Sequence, residues 1–402
     1  MKSHSPILSS WKIFLIFLRL GCTSFGGPVA HLGYFHDEFV VRRRWISEAD
    51  YAEILALCHF LPGPSSSQVG MAIGALQTGW VGAFAAWLGF TLPSALLLIL
   101  VAISLGTYSA YIHPSFIEGL KIAAIAVVAH ATWELANKLC TDHSRRILAL
   151  FVALFLLLVP SVFSQVLAIA CAAVIGCIFF TVRPQVDHQH TSVFTRSHQS
   201  VAKGLLWLSV YTFVFIALAL VNYLNANVLW QFASGFYRTG SLVFGGGHVV
   251  LPLLQEMMVS TERIEQHIFL AGYGITQAIP GPLFTFAAFL GASLPTDMPI
   301  VTALICLLAI FAPSYFLLLG VLPFWAKVRE IDAVKAAMLG INAAVVGLLL
   351  AACLQMMTFI DARSLSSMAV LLMAFCLLLS RKIPVWLLVF ATAFAHWILA
   401  SL

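Results

Sequence analysis

The chain reads as an all-α, polytopic membrane protein built from two copies of one unit. Composition, an internal echo and the placement of basic residues predict this class. Hydrophobic residues make up 61% of the 402 and charged ones 9%, and the mean hydropathy is +0.98. Apolar runs of about 20 residues, the length that crosses a bilayer as helix, fill nearly the whole sequence without the alternation of a transmembrane strand. Trp11, Phe17, Arg19, Gly21, Phe25, Gly26 and Gly27 recur 219 residues later as Trp230, Phe236, Arg238, Gly240, Phe244, Gly245 and Gly246. Pro62, Gly63 and Pro64 return as Pro280, Gly281 and Pro282, and Pro93 with Ser94 as Pro313 with Ser314. Such duplication in an apolar chain points to a transporter whose substrate site lies where the repeats meet.

Taken in order, the first half (1–182) offers apolar stretches at about 11–33, 50–76, 79–106, 116–138, 146–159 and 163–181. The second half (227–402) offers about 228–250, 267–291, 299–325, 333–359, 365–380 and 384–401. Between them, 183–226 holds a polar linker with His188, His190 and His198, then one unpaired apolar stretch, 204–224. With an even number of crossings per half, that extra helix turns the second half upside down.

Lys and Arg favour cytoplasmic loops. In the first half Arg145 and Arg146 mark the loop after the fourth stretch, while 107–115 and 160–162 carry no Lys or Arg. The second half reverses this, with Lys327, Arg329 and Lys335 at the counterpart of 107–115, and Arg381 with Lys382 at that of 160–162. Inverted repeats explain the reversal. Arg42, Arg43 and Arg44 would lie on the wrong side of an ordinary first span, and a re-entrant segment removes the conflict. Gly26, Gly27 and Pro28 would break the first segment and Pro62, Gly63 and Pro64 the second. Broken helices survive at membrane depth only where they line a polar cavity or are buried in protein.

The breaks carry the expected chemistry. Half-helix N-termini present free N–H groups and a favourable dipole, the makings of an anion site. Ser65, Ser66, Ser67 and Gln68 follow Pro64, and Thr276 with Gln277 precedes Pro280, all neutral donors suited to a tetrahedral oxyanion. Arg19 and Arg238 each stand six residues before a Phe-Gly-Gly break. A guanidinium in a membrane helix costs about 3 kcal/mol, so it needs a partner or a watery cavity. Participation in an anion site, snorkelling, or a structural pair with Glu38 or Glu256 all satisfy that need. Asp37, Glu38 and Glu256 are candidates for proton coupling, and solvated loop carboxylates are the alternative. Lys121 with Glu118 and Lys335 with Asp332 open the fourth segments, as anion-steering or interface-anchoring lysines. His59 aligns with Gln277 and predicts a shared hydrogen-bonding role; His31 and His130 also fall at or near membrane depth.

Other classes are disfavoured. No HExxH, G-x-S-x-G or paired intramembrane Asp motif suggests an enzyme. The eight cysteines form no CxxC, and neither a metal nor another cofactor is expected. The net charge of +5 reflects loop bias rather than nucleic-acid binding. The first apolar segment runs straight into Phe25, Gly26 and Gly27, so it reads as retained rather than as a cleaved signal.

The Phe-Gly-Gly-Pro segment from Phe25, the Pro-Gly-Pro motifs at Pro62 and Pro280, and the Phe-Gly-Gly-Gly at Phe244 resemble the chromate ion transporter family, long-chain two-domain type. The resemblance implies two homologous membrane domains of opposite orientation forming a chromate exporter of the inner membrane, with sulfate as the chemically similar anion. The functional positions it implies are Arg19, Gly26, Gly27, Pro62, Gly63 and Pro64, with Arg238, Gly245, Gly246, Pro280, Gly281 and Pro282. Pro28 follows the first Phe-Gly-Gly but Gly247 the second, so unequal contacts with substrate are expected. The expected partners are the oxyanion and the lipid bilayer, with a homodimer left open. A passive oxyanion channel, or a carrier of sulfate or another anion, remains the alternative.

Overall fold

The computed structural model describes residues 9–108, 113–180, 200–224, 227–244, 247–360, 364–380 and 382–401, all of them helix or connecting turn. The first half opens with α1 (Ser10–Thr23) and α2 (Gly27–His36), which continues as a π-helical turn over Asp37–Arg42. The break falls where Gly26 and Gly27 take φ of +98° and +74°. Phe17 of α1 stacks on Phe39, 5.1 Å between centroids, and meets Phe35 edge-on at 5.6 Å. The two short helices therefore run antiparallel, and Glu38 of the returning arm meets Arg19 of α1 at 2.9 Å.

Next, α3 (Glu48–Phe60) starts in a capping box between Ser47 and Asp50 and stops at Pro62–Pro64. The following helix, α4 (Ser65–Tyr108), breaks again at Thr78 and Gly79. Thr78 Oγ1 lies 3.1 Å from Ser10 Oγ, so the first stretch of α4 ends beside the start of α1. α5 (Pro114–Leu139), α6 (His143–Leu158) and α7 (Val162–Phe179) complete the half. Asp142 and Ser161 cap α6 and α7 with their side chains.

The linking helix α8 (Val201–Leu224) buries only Gly204 and turns Leu206, Phe213 and Ile216 outward, as a lipid-facing span does. The second half follows with α9 (Val228–Leu242), α10 (Val250–Met258), α11 (Gln266–Ala278), α12 (Phe286–Ser293), α13 (Pro299–Val321), the single turn α14 (Trp325–Val328), α15 (Asp332–Met357), α16 (Leu365–Leu379) and α17 (Val385–Ser401). Among the described residues, five helices are long and apolar enough to cross a membrane: Ser65–Thr107, Pro114–Leu139, Val201–Leu224, Pro299–Val328 and Asp332–Met357.

Packing interleaves the halves. α6 and α7 lie on α15 of the second half, and α16 and α17 lie on α5 of the first. Small residues let these backbones touch, as membrane helices require when lipid supplies no hydrophobic contrast. A Cβ on Gly119 would come 2.6 Å from Cα of Ala393, and one on Gly340 would come 3.1 Å from Cα of Gly176. One apolar core runs through both halves, from Phe17, Phe35 and Phe90 to Phe236, Phe284 and Phe311.

Candidate substrate site where the two halves cross

Each Pro-Gly-Pro break docks on the other half. Gly63 N–H donates to Val243 O at 2.6 Å, and Gly281 N–H donates to Ser24 O at 3.1 Å. Ser24 and Val243 are equivalent positions, each directly before a Phe-Gly-Gly. Both break glycines lie at φ values foreign to other residues, +124° and +108°. Each also faces a serine of the opposite half: Ser314 sits against Gly63, and Ser94 Oγ would lie 2.6 Å from a Cβ on Gly281. The equivalent residues Pro28 and Gly247 meet each other, with Pro28 Cγ 3.1 Å from where a Cβ on Gly247 would be. A side chain at 247 would therefore press on Leu283 and on Pro28 of the first half.

Beyond the first break, α4 begins with Ser65, Ser66, Ser67 and Gln68, all buried. The first turn of a helix has free N–H groups. Among the described residues, buried polar atoms without a hydrogen-bond partner include Ser67 Oγ and Gln68 Oε1 in this turn, and Ser24 Oγ, His31 Nε2, Thr91 Oγ1 and Ser314 Oγ outside it. Gln68 Nε2 is used, donating to Pro62 O at 2.8 Å, and His31 Nδ1 lies 3.4 Å from Ser66 Oγ. Native interiors pair nearly all their buried polar groups, so these atoms are exceptional in a buried place. The second half differs at the same point. Leu283, Phe284, Thr285 and Phe286 replace the serines and glutamine, and Thr285 Oγ1 donates to Pro282 O at 2.6 Å.

The two arginines diverge. Arg19, 51% exposed, donates to Glu38 Oε2 at 2.9 Å; the same carboxylate, 5% exposed, binds Arg42 at 3.2 Å and Arg43 at 2.6 Å. Burial would raise the Glu38 pKa, but the hydrogen bond and charge of Arg43, with Arg19 and Arg42, hold it below the ordinary carboxylate range. The residue 219 places after Glu38 is Met257, and no ion pair or hydrogen bond reaches the exposed Arg238 among the described residues. Glu256 accepts instead from Ser260 Oγ at 3.0 Å.

The remaining expected positions are less central. Phe25 is partly exposed and packs its ring toward Trp386 at 6.1 Å, and Phe244 is also partly buried. Gly245, Gly246, His188, His190 and Arg381 lie outside the described residues. Asp37 is 82% exposed beside His36. The hydrogen bond to Glu48 is the main cause that raises the His36 pKa. Lys121 and Lys335 pair with Glu118 and Asp332. His59 and Gln277 do not share a role: His59 Nδ1 bonds its own helix at Leu55 O, 2.8 Å, whereas Gln277 Nε2 lies 3.5 Å from Nδ1 of His248. Among the described residues no group of three or more His, Cys, Asp or Glu could hold a metal.

Ser24, Thr91, Ser314 and His248 were not legible as site residues. For Ser314 a signal existed, because the Pro-Ser pairs at 93–94 and 313–314 are part of the echo.

Spanning helices, broken segments and a buried crossing lined by uncharged polar groups are those of a multi-pass membrane protein of the transporter class. The family model described as "Chromate transporter" matches residues 11–177 and again 230–397. The chain therefore belongs to the chromate transporter family. It is 27% identical over 350 residues to a chromate transport protein of Cupriavidus metallidurans, covering 85% of this chain and 81% of that one. A chromate transport protein of Pseudomonas aeruginosa is 27% identical over 359 residues, 86% of this chain and 80% of its own. An uncharacterised transporter of Methanocaldococcus jannaschii is 26% identical over 389 residues, 94% and 92% of the two chains. No solved structure matches.

Proposed function

We propose that the protein exports chromate, with sulfate-like oxyanions as further substrates, across the cytoplasmic membrane, and so confers chromate resistance. The observation that carries this is the set of unpartnered polar groups at and near the first turn of α4, the Ser67 hydroxyl among them, with Ser314 of the other half against Gly63. The named relatives support chromate as substrate. Direction follows from electrostatics. A dianion leaving a cell that is negative inside gains about 4.6 kcal/mol per 100 mV, at about 2.3 per charge, so efflux needs no other driving ion.

In this reading the halves are inverted repeats, a view supported by the reciprocal contacts of Gly63 and Gly281 and by the reversed loop charges. Transport is then a rocking of one half against the other that opens the crossing to each side in turn. A crossing sealed from both halves favours a carrier over an open channel. Arg238, which has no ion pair among the described residues, attracts the anion toward the crossing.

The test is chromate flux from loaded membrane vesicles, comparing wild type with Arg238→Gln and Arg19→Gln at matched expression. Arg238→Gln is expected to raise KM with little change in thermal stability. Arg19→Gln is expected to lower stability through the loss of its Glu38 pair. Saturable chromate efflux absent from wild type, or an Arg238→Gln variant with unchanged kinetics, would overturn the assignment it addresses.

A further inference from the structure

The carboxylates first expected to couple transport are poorly placed for it: Glu38 is held by three arginines, Asp37 is in solvent, and Glu256 bonds within its own turn. A different set of ionisable groups runs from the crossing along one face of α5. His248 follows the second break and is adjacent to Gly247, which meets Pro28 at the crossing. Its Nδ1 bonds Tyr273 OH at 2.9 Å. His130 of α5 lies within electrostatic reach of His248. One turn further on, His130 Nε2 and Glu134 Oε1 are 4.0 Å apart, and Lys138 follows after another turn. Positions 130, 134 and 138 share a helix face.

The second half has no such file. With Lys335 matched to Lys121, the equivalent places on α15 are Ala344, Leu348 and Ala352. Ionisable groups at membrane depth are costly, so their confinement to one half calls for a purpose other than packing.

Other charged or titratable groups around α5 are accounted for. His59 at the end of α3 approaches Lys138. Tyr273 of α11 stands behind His248. On α15, Asp332 and Lys335 pair with each other, and Cys353 is buried. Cys376 of α16 is exposed. His396 of α17 bonds Ser367 and the carbonyl of Ser115, at the first turn of α5.

We propose that His248, His130 and Glu134 form a proton path between the crossing and the end of α5, and that the carrier moves a proton together with each oxyanion. An anion at the crossing favours protonation of nearby imidazole, and a proton on His248 in turn favours the anion, because the coupling is reciprocal. The proton enters at Glu134, passes to His130 and His248, and leaves with the anion, so the loaded carrier bears one negative charge less. This rests on the crossing being the oxyanion site.

The experiment uses proteoliposomes loaded with chromate and a trapped pH dye, with the membrane potential clamped. It is run at alkaline pH, where the anion itself carries no proton. Wild type is expected to make the lumen alkaline in proportion to chromate exit. Glu134→Gln should lower the number of protons moved per chromate, and Glu134→Asp should restore the wild-type ratio. Wild-type efflux with no pH change, or with lumen acidification, overturns the proposal. So does a Glu134→Gln variant with the wild-type ratio of protons to chromate. If Glu134→Gln fails to assemble, His130→Asn is read by the same criteria. Absence of any saturable flux in wild type overturns the transport reading instead, and the proton path with it.

Discussion

Replacing Gly63 with alanine tests whether the crossing is held by contact between the halves. Gly63 has φ +124°, where an L residue costs about 1–3 kcal/mol. A Cβ there would also run into Ser314, whose own Cβ would be 2.9 Å away, and approach Gln68 Nε2 at 3.0 Å. Forcing an extra carbon into such a site adds about 1–3 kcal/mol. Gly27 supplies the control, because it has φ +74° but nothing within 4 Å of a Cβ, so only the backbone cost applies. Gly63→Ala should therefore destabilise by about 2–6 kcal/mol and Gly27→Ala by about 1–3. Ser314→Gly removes the obstructing atoms, so in a double-mutant cycle it should return about 1–3 kcal/mol to Gly63→Ala. Apparent Tm in detergent at one fixed scan rate reads both effects. Equal losses for the two alanine variants with no coupling to Ser314 would refute the docking of the first break on the second half.

Two more outcomes follow from the packing. Glu38→Gln removes the common partner of Arg19, Arg42 and Arg43. Because Arg19 and Arg42 are well exposed, the expected loss is about 1–3 kcal/mol rather than that of a fully buried pair. The Glu38 pKa is lowered in the folded state, so its stabilisation is present above the ordinary carboxylate range and lost as pH falls through the folded value. The Tm gap between wild type and Glu38→Gln should accordingly close on acidification; a gap that widens would contradict this. Gly119→Val puts a branched side chain against the backbone of Ala393 and should separate α17 from α5, seen as loss of monodisperse protein in size-exclusion chromatography.

The sequence was informative wherever a feature was local or repeated. Segment ends, the breaks at Gly26 and Pro62, the linking helix and the helical class follow from hydropathy, Gly and Pro. Partners were harder to read. Arg19 and Arg238 look alike in the echo, yet only one has a carboxylate at the matching distance, since the residue in the place of Glu38 is Met257. Ser314 reaches Gly63 across 251 positions of chain, and no periodicity announces such a contact. His59 and Gln277 align but point to different neighbours, because alignment preserves backbone position and not the side-chain environment.

The asymmetry at the crossing lets the proposed substrate turn be tested against its packed counterpart. Phe284 and Phe286, which follow the second half's break, are fully buried, and Phe284→Ala should cost about 3–5 kcal/mol. At the equivalent turn of the first half, Ser67 is buried but its Oγ bonds nothing. An unsatisfied buried hydroxyl costs about 1–3 kcal/mol, so Ser67→Ala should leave Tm unchanged or raise it. If that hydroxyl is held in readiness for an oxyanion, the same variant should transport chromate with a KM raised about tenfold, the loss of one hydrogen bond to a charged group, about 1.4 kcal/mol. A more stable protein with poorer transport is the signature of a site whose polarity serves the ligand. A Ser67→Ala variant that is less stable yet transports normally would instead make the first turn of α4 a packing feature, and the substrate site would have to be sought elsewhere along the interface.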